Sequence, residues 1–245
     1  MTSFAQLQQG DWPALLDTVR PEVRAARSLA EAGAYVSRRI YERFEESAVL
    51  VRVYATTRYD ELPADVARFV DAVAAQADAP STITAETRVL ALLGTWGVEE
   101  AWRDRRASVG HRGIPLVSAQ FVDALPMVAR LVDELGIELT WLDEAPEVMT
   151  RRLIGGFNGI FYVGDASAAR DAKGRRIIPA SDFVERHDVR TVFGMGGFYP
   201  DGTLIVCVVF TRDRLPRATV EPLASLISML KGETFGLVRS RRLFD

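Results

Sequence analysis

The sequence predicts an α+β protein in which helices pack on a central antiparallel sheet and the N- and C-terminal helices lie together. Three observations predict it. Runs 190–198 (RTVFGMGGF) and 203–211 (TLIVCVVFT) flank Tyr199-Pro200-Asp201-Gly202, whose proline and glycine suit a type I turn, so the pair reads as an antiparallel hairpin. Residues 22–45 and 219–230 each carry an apolar stripe at helical spacing. The order of elements is helix, strand, several helices, hairpin and helix, which suits helices layered on a sheet.

In the first of these helices the stripe is Leu29, Val36, Ile40 and Phe44, with Arg38, Arg39, Glu42 and Arg43 largely off it. Residues 48–54 (AVLVRVY) are apolar and rich in valine, which predicts a mostly buried strand. Pro63 can open a helix because its missing N–H is not needed in the first turn. Val66, Phe69, Val70, Val73 and Ala77 then line one face, and Ala79-Pro80-Ser81 ends it. Two short helices are expected at 84–93 and 98–106, around Gly94–Gly97. Ser118 is a good N-cap for a helix carrying Val122, Leu125, Val128, Leu131, Val132 and Leu135, with Gly136 as its stop and Pro126 as a kink or restart. A strand is expected at 137–142, a short helix at 147–153, an exposed loop at 164–176 and a strand at 159–163 (GIFYV). Leu204–Phe210 is apolar at every position, so both faces of that strand are expected to be covered. The last helix carries Val220, Leu223, Ile227 and Leu230 on one face.

Composition excludes several classes of function. The chain has 245 residues, enough to bury a core without staples. One cysteine makes no internal disulfide, and Cys207, His111 and His187 cannot supply four ligands to a structural zinc. Thirty basic against 33 acidic residues argues against a strongly basic nucleic-acid binder. Only Lys173 and Lys231 are lysine, so nearly every basic residue is an arginine able to grip a carboxylate or phosphate with two parallel bonds. The first residues carry neither a basic nor an apolar signal region, and the longest apolar run is far short of the ~20 residues that span a bilayer. The expectation is a protein of the cytoplasm with no membrane partner.

Catalytic motifs are missing: there is no phosphate-binding G-x-x-x-x-G-K-[ST] loop, no H-E-x-x-H and no G-x-S-x-G elbow. Gly194-Met195-Gly196-Gly197 precedes a hairpin turn instead of opening a helix, so it reads as close backbone packing. Cys207 reads as an inert core thiol and His187 as an exposed loop residue. Adjacent carboxylates Asp60/Glu61 and Glu99/Glu100 point apart on a helix or turn. The densest polar cluster is 102–115 (WRDRRASVGHRGIP). It is either a solvated helix end, where the dipole favours cations, or an anion site. The candidate ligand-binding residues are Trp102, Arg105, Arg106, Ser108 and His111. No catalytic or metal residue is assigned, and no cofactor is required.

Two segments carry a resemblance: 99–115 (EEAWRDRRASVGHRGIP) running on to LPMVARLVDELG at 125–136, and 178–216 (IPASDFVERHDVRTVFGMGGFYPDGTLIVCVVFTRDRLP). Together they resemble the GAF-like sensory domain found upstream of histidine kinase, cyclase and phosphatase output domains, over roughly residues 46–230. The resemblance implies an antiparallel sheet with a ligand pocket on one face, and terminal helices used for dimerisation and signal relay. It divides the chain into a helical segment at 1–45 and a sensor domain at 46–245. No output domain follows Asp245, so a free-standing sensor or a piece of a longer protein is expected. The expected function is non-enzymatic: a two-component-type sensor that binds a small molecule, acts as a homodimer and serves a separate kinase or other output protein. The alternatives are a haem- or metal-based redox or gas sensor using His111, Cys207 or acidic residues to hold iron or haem, and a ligand-free adaptor.

Overall fold

A computed structural model of the chain describes residues 2–76, 82–108, 110–143 and 158–245. The expected helix at 147–153 and the stop at 79–81 lie outside the described residues.

Six strands form one antiparallel sheet: β1 (Ala48–Arg58), β2 (Arg88–Gly97), β3 (Gly113–Pro115), β4 (Gly159–Val163), β5 (Thr191–Phe198) and β6 (Leu204–Thr211). Their spatial order is β3-β2-β1-β6-β5-β4. The predicted hairpin is β5–β6, in register from Phe198↔Leu204 to Thr191↔Thr211, and Gly202 donates back to the Tyr199 carbonyl at 2.9 Å across the turn.

Strand residues alternate between two apolar cores. Val51, Val53 and Ala55 of β1 and Ile205, Cys207 and Val209 of β6 face one side. Leu50, Tyr54, Val206, Val208 and Phe210 face the other. A strand clamped between two cores has no solvent face, which is why β6 is apolar at every position from Leu204 to Phe210. The first face is covered by α1 (Asp11–Ala25), α2 (Leu29–Arg43) and a C-terminal helix. The second is covered by α4 (Ala119–Asp123), α5 (Pro126–Glu134) and connecting residues that include Ile137, Ile177 and Val184. Between these, α3 (Ala64–Gln76) packs Val66 and Val70 against Val89 and Ala91 near the β3 edge.

Several elements differ from expectation. The single helix at 22–45 is two helices. Ala26 is extended, and Ser28 caps α2 by accepting from the Glu31 N–H at 3.0 Å. The upstream helix α1 has its own stripe, Trp12, Leu15, Leu16, Val19 and Val23. The helices expected at 84–93 and 98–106 are instead β2 and one 3-10 turn at Glu100–Trp102. A short apolar run such as 89–93 suits either a buried helix or a buried strand, and tertiary packing decides. Here the segment pairs with β1 from Arg58↔Arg88 to Leu50↔Gly97 and with β3 over Val89–Ala91, and Gly94 lets α2 lie against it, since a Cβ there would sit inside the Gly33 backbone. The strand expected at 137–142 gives way to a 3-10 helix at Leu139–Asp143. Pro126 restarts the helix instead of kinking it, splitting α4 from α5, and Gly136 ends α5 at φ +77°.

The connection at 164–190 includes α6 (Ser181–Arg186). The final helix is expected at 219–230; it begins as short turns over Arg217–Ala224 and continues as α7 (Ser225–Arg239). It lies against α1, where Trp12 Nε1 donates to Ser225 Oγ at 3.1 Å and Glu233 accepts from Arg20 and Arg24. The terminal helices are therefore together, as expected. Gly196 and Gly197 are close-packing glycines, since Cβ atoms there would meet Leu135 at 2.8 Å and Ile227 at 3.0 Å. Among the described residues no helix is long and apolar enough to cross a membrane.

Candidate functional site

The face of the sheet beneath the 98–116 connection carries a polar spot in an apolar setting. Alternation along β1 sends Arg52 and Tyr54 to this face, and the β1–β2 register places Thr95 opposite Arg52. All three side chains are nine-tenths buried or more. Residues 103–108 and 110–111 close over them. Ser108, only 4% exposed, accepts from Arg52 Nη2 at 3.0 Å, and Tyr54 Oη lies 3.3 Å from Arg52 Nη1. Tyr54 in turn donates to the His111 carbonyl at 3.1 Å. Gly110 crosses the guanidinium at φ +105°, with room for a Cβ only 3.4 Å from Arg52 Nη1. A positive φ that close to another side chain selects glycine.

Burying a guanidinium costs several kcal/mol in solvation unless polar partners replace water. Here the Ser108 and Tyr54 hydroxyls are among the groups that do so. The Thr95 hydroxyl is buried and has no hydrogen-bond partner among the described residues. An orphaned donor of that kind, beside a buried cation, suits a polar group brought in from outside.

An aromatic wall adjoins the spot. Trp102 stands edge-on to His187 at 5.0 Å and to Phe183 at 5.6 Å, and Phe183 meets Phe210 at 5.3 Å. His187 is not the exposed loop residue expected from the sequence. Its side chain is 10% exposed, because the turn that ends α6 folds it onto Trp102. Burial lowers its pKa, opposed by Glu99 at 3.7 Å and assisted by Arg186 and Arg212. His111 keeps an exposed side chain, while crowding by the surrounding protein and then the Arg52 charge hold its imidazole below the ordinary range.

The five candidate residues are therefore divided. Trp102, Ser108 and His111 belong to the loop-covered sheet face. Arg105 and Arg106 turn to the other flank of the same segment, into a cleft of about 270 Å³ against α2. Arg52, Tyr54 and Thr95 were missed by the sequence reading. A lone arginine inside an otherwise apolar strand (AVLVRVY) was the available signal.

Cys207 lies in the other core, 0% exposed, with burial raising its pKa to about 12. It faces away from the side of the sheet that the His111 segment covers, so the two cannot share one metal ion. Among the described residues no group of three His, Cys, Asp or Glu is placed to hold a metal.

No protein-family model matches the chain, and no curated protein matches it. Solved structures do. The free methionine-R-sulfoxide reductase from Neisseria meningitidis, solved with its substrate, matches at 11% identity over 96% of each chain with TM-score 0.50. The phycoerythrobilin-bound GAF domain of a cyanobacterial phytochrome matches at 9% identity over 96% of this chain and all of that one, also with TM-score 0.50. At these identities the likeness is one of fold. The chain is a GAF-like domain in fold, with the antiparallel sheet and packed helices that the sequence resemblance implied.

Proposed function

We propose that the chain is a non-enzymatic sensory domain that binds a small molecule on the loop-covered face of its sheet. The observation that carries this reading is the buried Arg52–Ser108 pair beside the partnerless Thr95 hydroxyl, walled by Trp102 and Phe183. Arginine and hydroxyl donors suit a carboxylate or phosphate, and the aromatic rim suits an apolar or ring-bearing body. The two structural neighbours hold, in the same fold, a substrate in one case and a bilin in the other.

A reductase working through a protein thiol needs a thiolate that reaches its substrate. This chain's single cysteine, Cys207, is sealed in the helix-side core with its pKa raised, which favours sensing over sulfur chemistry. Ligand binding would tighten the 103–111 segment on the sheet and shift the packing of α1 and α7 at a dimer interface, for readout by a separate output protein such as a kinase.

Thermal melts of the chain and of Arg52→Met against a panel of carboxylate- and phosphate-bearing metabolites test the reading. At least one compound should raise the Tm of the parent chain and leave Arg52→Met unmoved. A panel that moves neither protein, or moves both equally, removes the basis for this site. Light scattering tests the dimer: a monomer with and without the stabilising compound refutes relay through α1 and α7.

A further inference from the structure

Arg105 and Arg106, grouped with Ser108 and His111 by the sequence, line a different cleft. The cleft they enter is bounded by Arg27, Glu31 and Ala34 around α2, by Leu93–Thr95 at the open edge of β2, by Arg103–Arg106 and by Asp245. β3 pairs with β2 only over Val89–Ala91, so the upper half of that strand edge is covered by the arginine segment instead of a strand.

The cleft brings four arginines, Arg27, Arg103, Arg105 and Arg106, against three carboxylate side chains, Glu31, Asp104 and Asp245, and Arg27 pairs with Glu31. Each carboxylate there is already engaged. Glu31 accepts from the Arg27 N–H at 2.7 Å and from Tyr35 at 3.2 Å, Asp104 from the Arg106 N–H at 2.9 Å, and Asp245 from Ser28 at 2.5 Å. Arg103, by contrast, donates to the Gly97 carbonyl and stands over the Trp96 ring. Arg105 lies over the Phe244 ring at 5.3 Å. The Arg106 side chain has no partner among the described residues, and none of the three arginines makes an ion pair there. Arg105 is half-buried; burial and then the Arg106 charge lower its pKa, while Asp245, Asp65 and Asp104 offset part of that. The first N–H groups of α2 are taken by the carbonyls of Arg242 and Leu243, so the guanidiniums and not a helix end define what the cleft can bind.

We propose that this cleft is a second ligand site, which shares Thr95 with the first at the β2 edge and takes a small phosphate ester. Three guanidiniums within four residues offer more donors than a single carboxylate can accept, whereas a phosphate monoester brings two charges and three oxygens. A cleft of about 270 Å³ exceeds a bare phosphate and falls just below the roughly 300–1,000 Å³ of drug-sized pockets, which fits a small esterified metabolite.

Isothermal titration at low ionic strength tests this, with glycerol 3-phosphate, inorganic phosphate and succinate as probes. The expected result is saturable one-site binding in the order ester, then phosphate, then succinate. It should weaken at least about tenfold in Arg105→Gln/Arg106→Gln and stay unchanged in Arg239→Gln, a control on the outer face of α7. If the double variant lowers the Tm in phosphate-free buffer, Arg106→Gln alone, on an exposed side chain, is read in the same way. Equal affinity in parent and variants, no saturation up to about 10 mM, or succinate binding as tightly as the ester overturns the proposal.

Discussion

The two faces of the sheet are built from the same strands and finished in different ways. The helix face is closed by α1, α2 and α7 over Val51, Val53, Ala55, Ile205, Cys207 and Val209. Its tightest point is backbone against backbone, at Gly33 and Gly94. The loop face also has an apolar floor, Leu50, Val206, Val208 and Phe210, yet it accepts Arg52 and Thr95 into that floor and covers them with a segment rather than a regular helix. One face is optimised for packing. The other gives up some apolar packing for buried polar groups, a local departure from the pattern that the rest of the strands follow.

The helix face is where a substitution should do most damage. Gly94→Ala places a methyl group in the space held by the Gly33 backbone, and backbone cannot rotate out of the way. A destabilisation of about 3 kcal/mol or more is expected, read as a fall in the urea midpoint. A loss below about 1 kcal/mol would show that α2 slides freely on the sheet, and the contrast between a rigid and an adaptable face would fail.

The same contrast explains what could be read from the sequence. The β5–β6 hairpin, β1, β4 and α5 were legible because their periodicity and turn residues are local. β2 was not: Val89–Leu93 is apolar in a way that suits either regular structure, and only pairing with β1 and β3, distant in sequence, makes it a strand. The candidate site was half legible. The 102–111 segment announced itself by composition, and Trp102, Ser108 and His111 do lie at the loop face. Arg52, Tyr54 and Thr95 come from two strands brought into register across the sheet, which no local pattern records. His187 was misplaced because a histidine after a short helix looks exposed until the turn sets it against Trp102.

On the loop face, substitutions should separate binding from stability. Arg52→Met keeps the side-chain length and removes a buried charge, so urea stability is expected to change by less than about 1 kcal/mol in the absence of ligand. A cost of about 3 kcal/mol would make Arg52 part of the scaffold and erase the distinction between the faces. Thr95→Val is subtler. It replaces a buried hydroxyl that has no partner among the described residues with a methyl group of the same shape. A gain of up to about 1 kcal/mol is expected from the same urea titration, and a comparable loss would mean that the hydroxyl is satisfied in the free protein.

The smallest effect is a pH dependence that only the loop face should show. Both histidines stand at or near it, and both have folded-state pKa values below the ordinary 6.5. For His187 the first cause is burial against Trp102 and Phe183, and the Glu99 carboxylate offsets part of it. A base with a lowered pKa in the folded state binds its proton more readily when unfolded. Stability is then complete above about pH 6.5 and declines as pH falls from there toward the folded-state value. Ordinary carboxylates titrate below this range, so a fall in Tm between pH 7 and pH 5.5 belongs to the histidines. His187→Phe preserves an aromatic ring on Trp102 and has nothing to protonate, so it should flatten part of that slope. An unchanged slope in the variant would place the pH response elsewhere and leave the Trp102–His187 contact as packing alone.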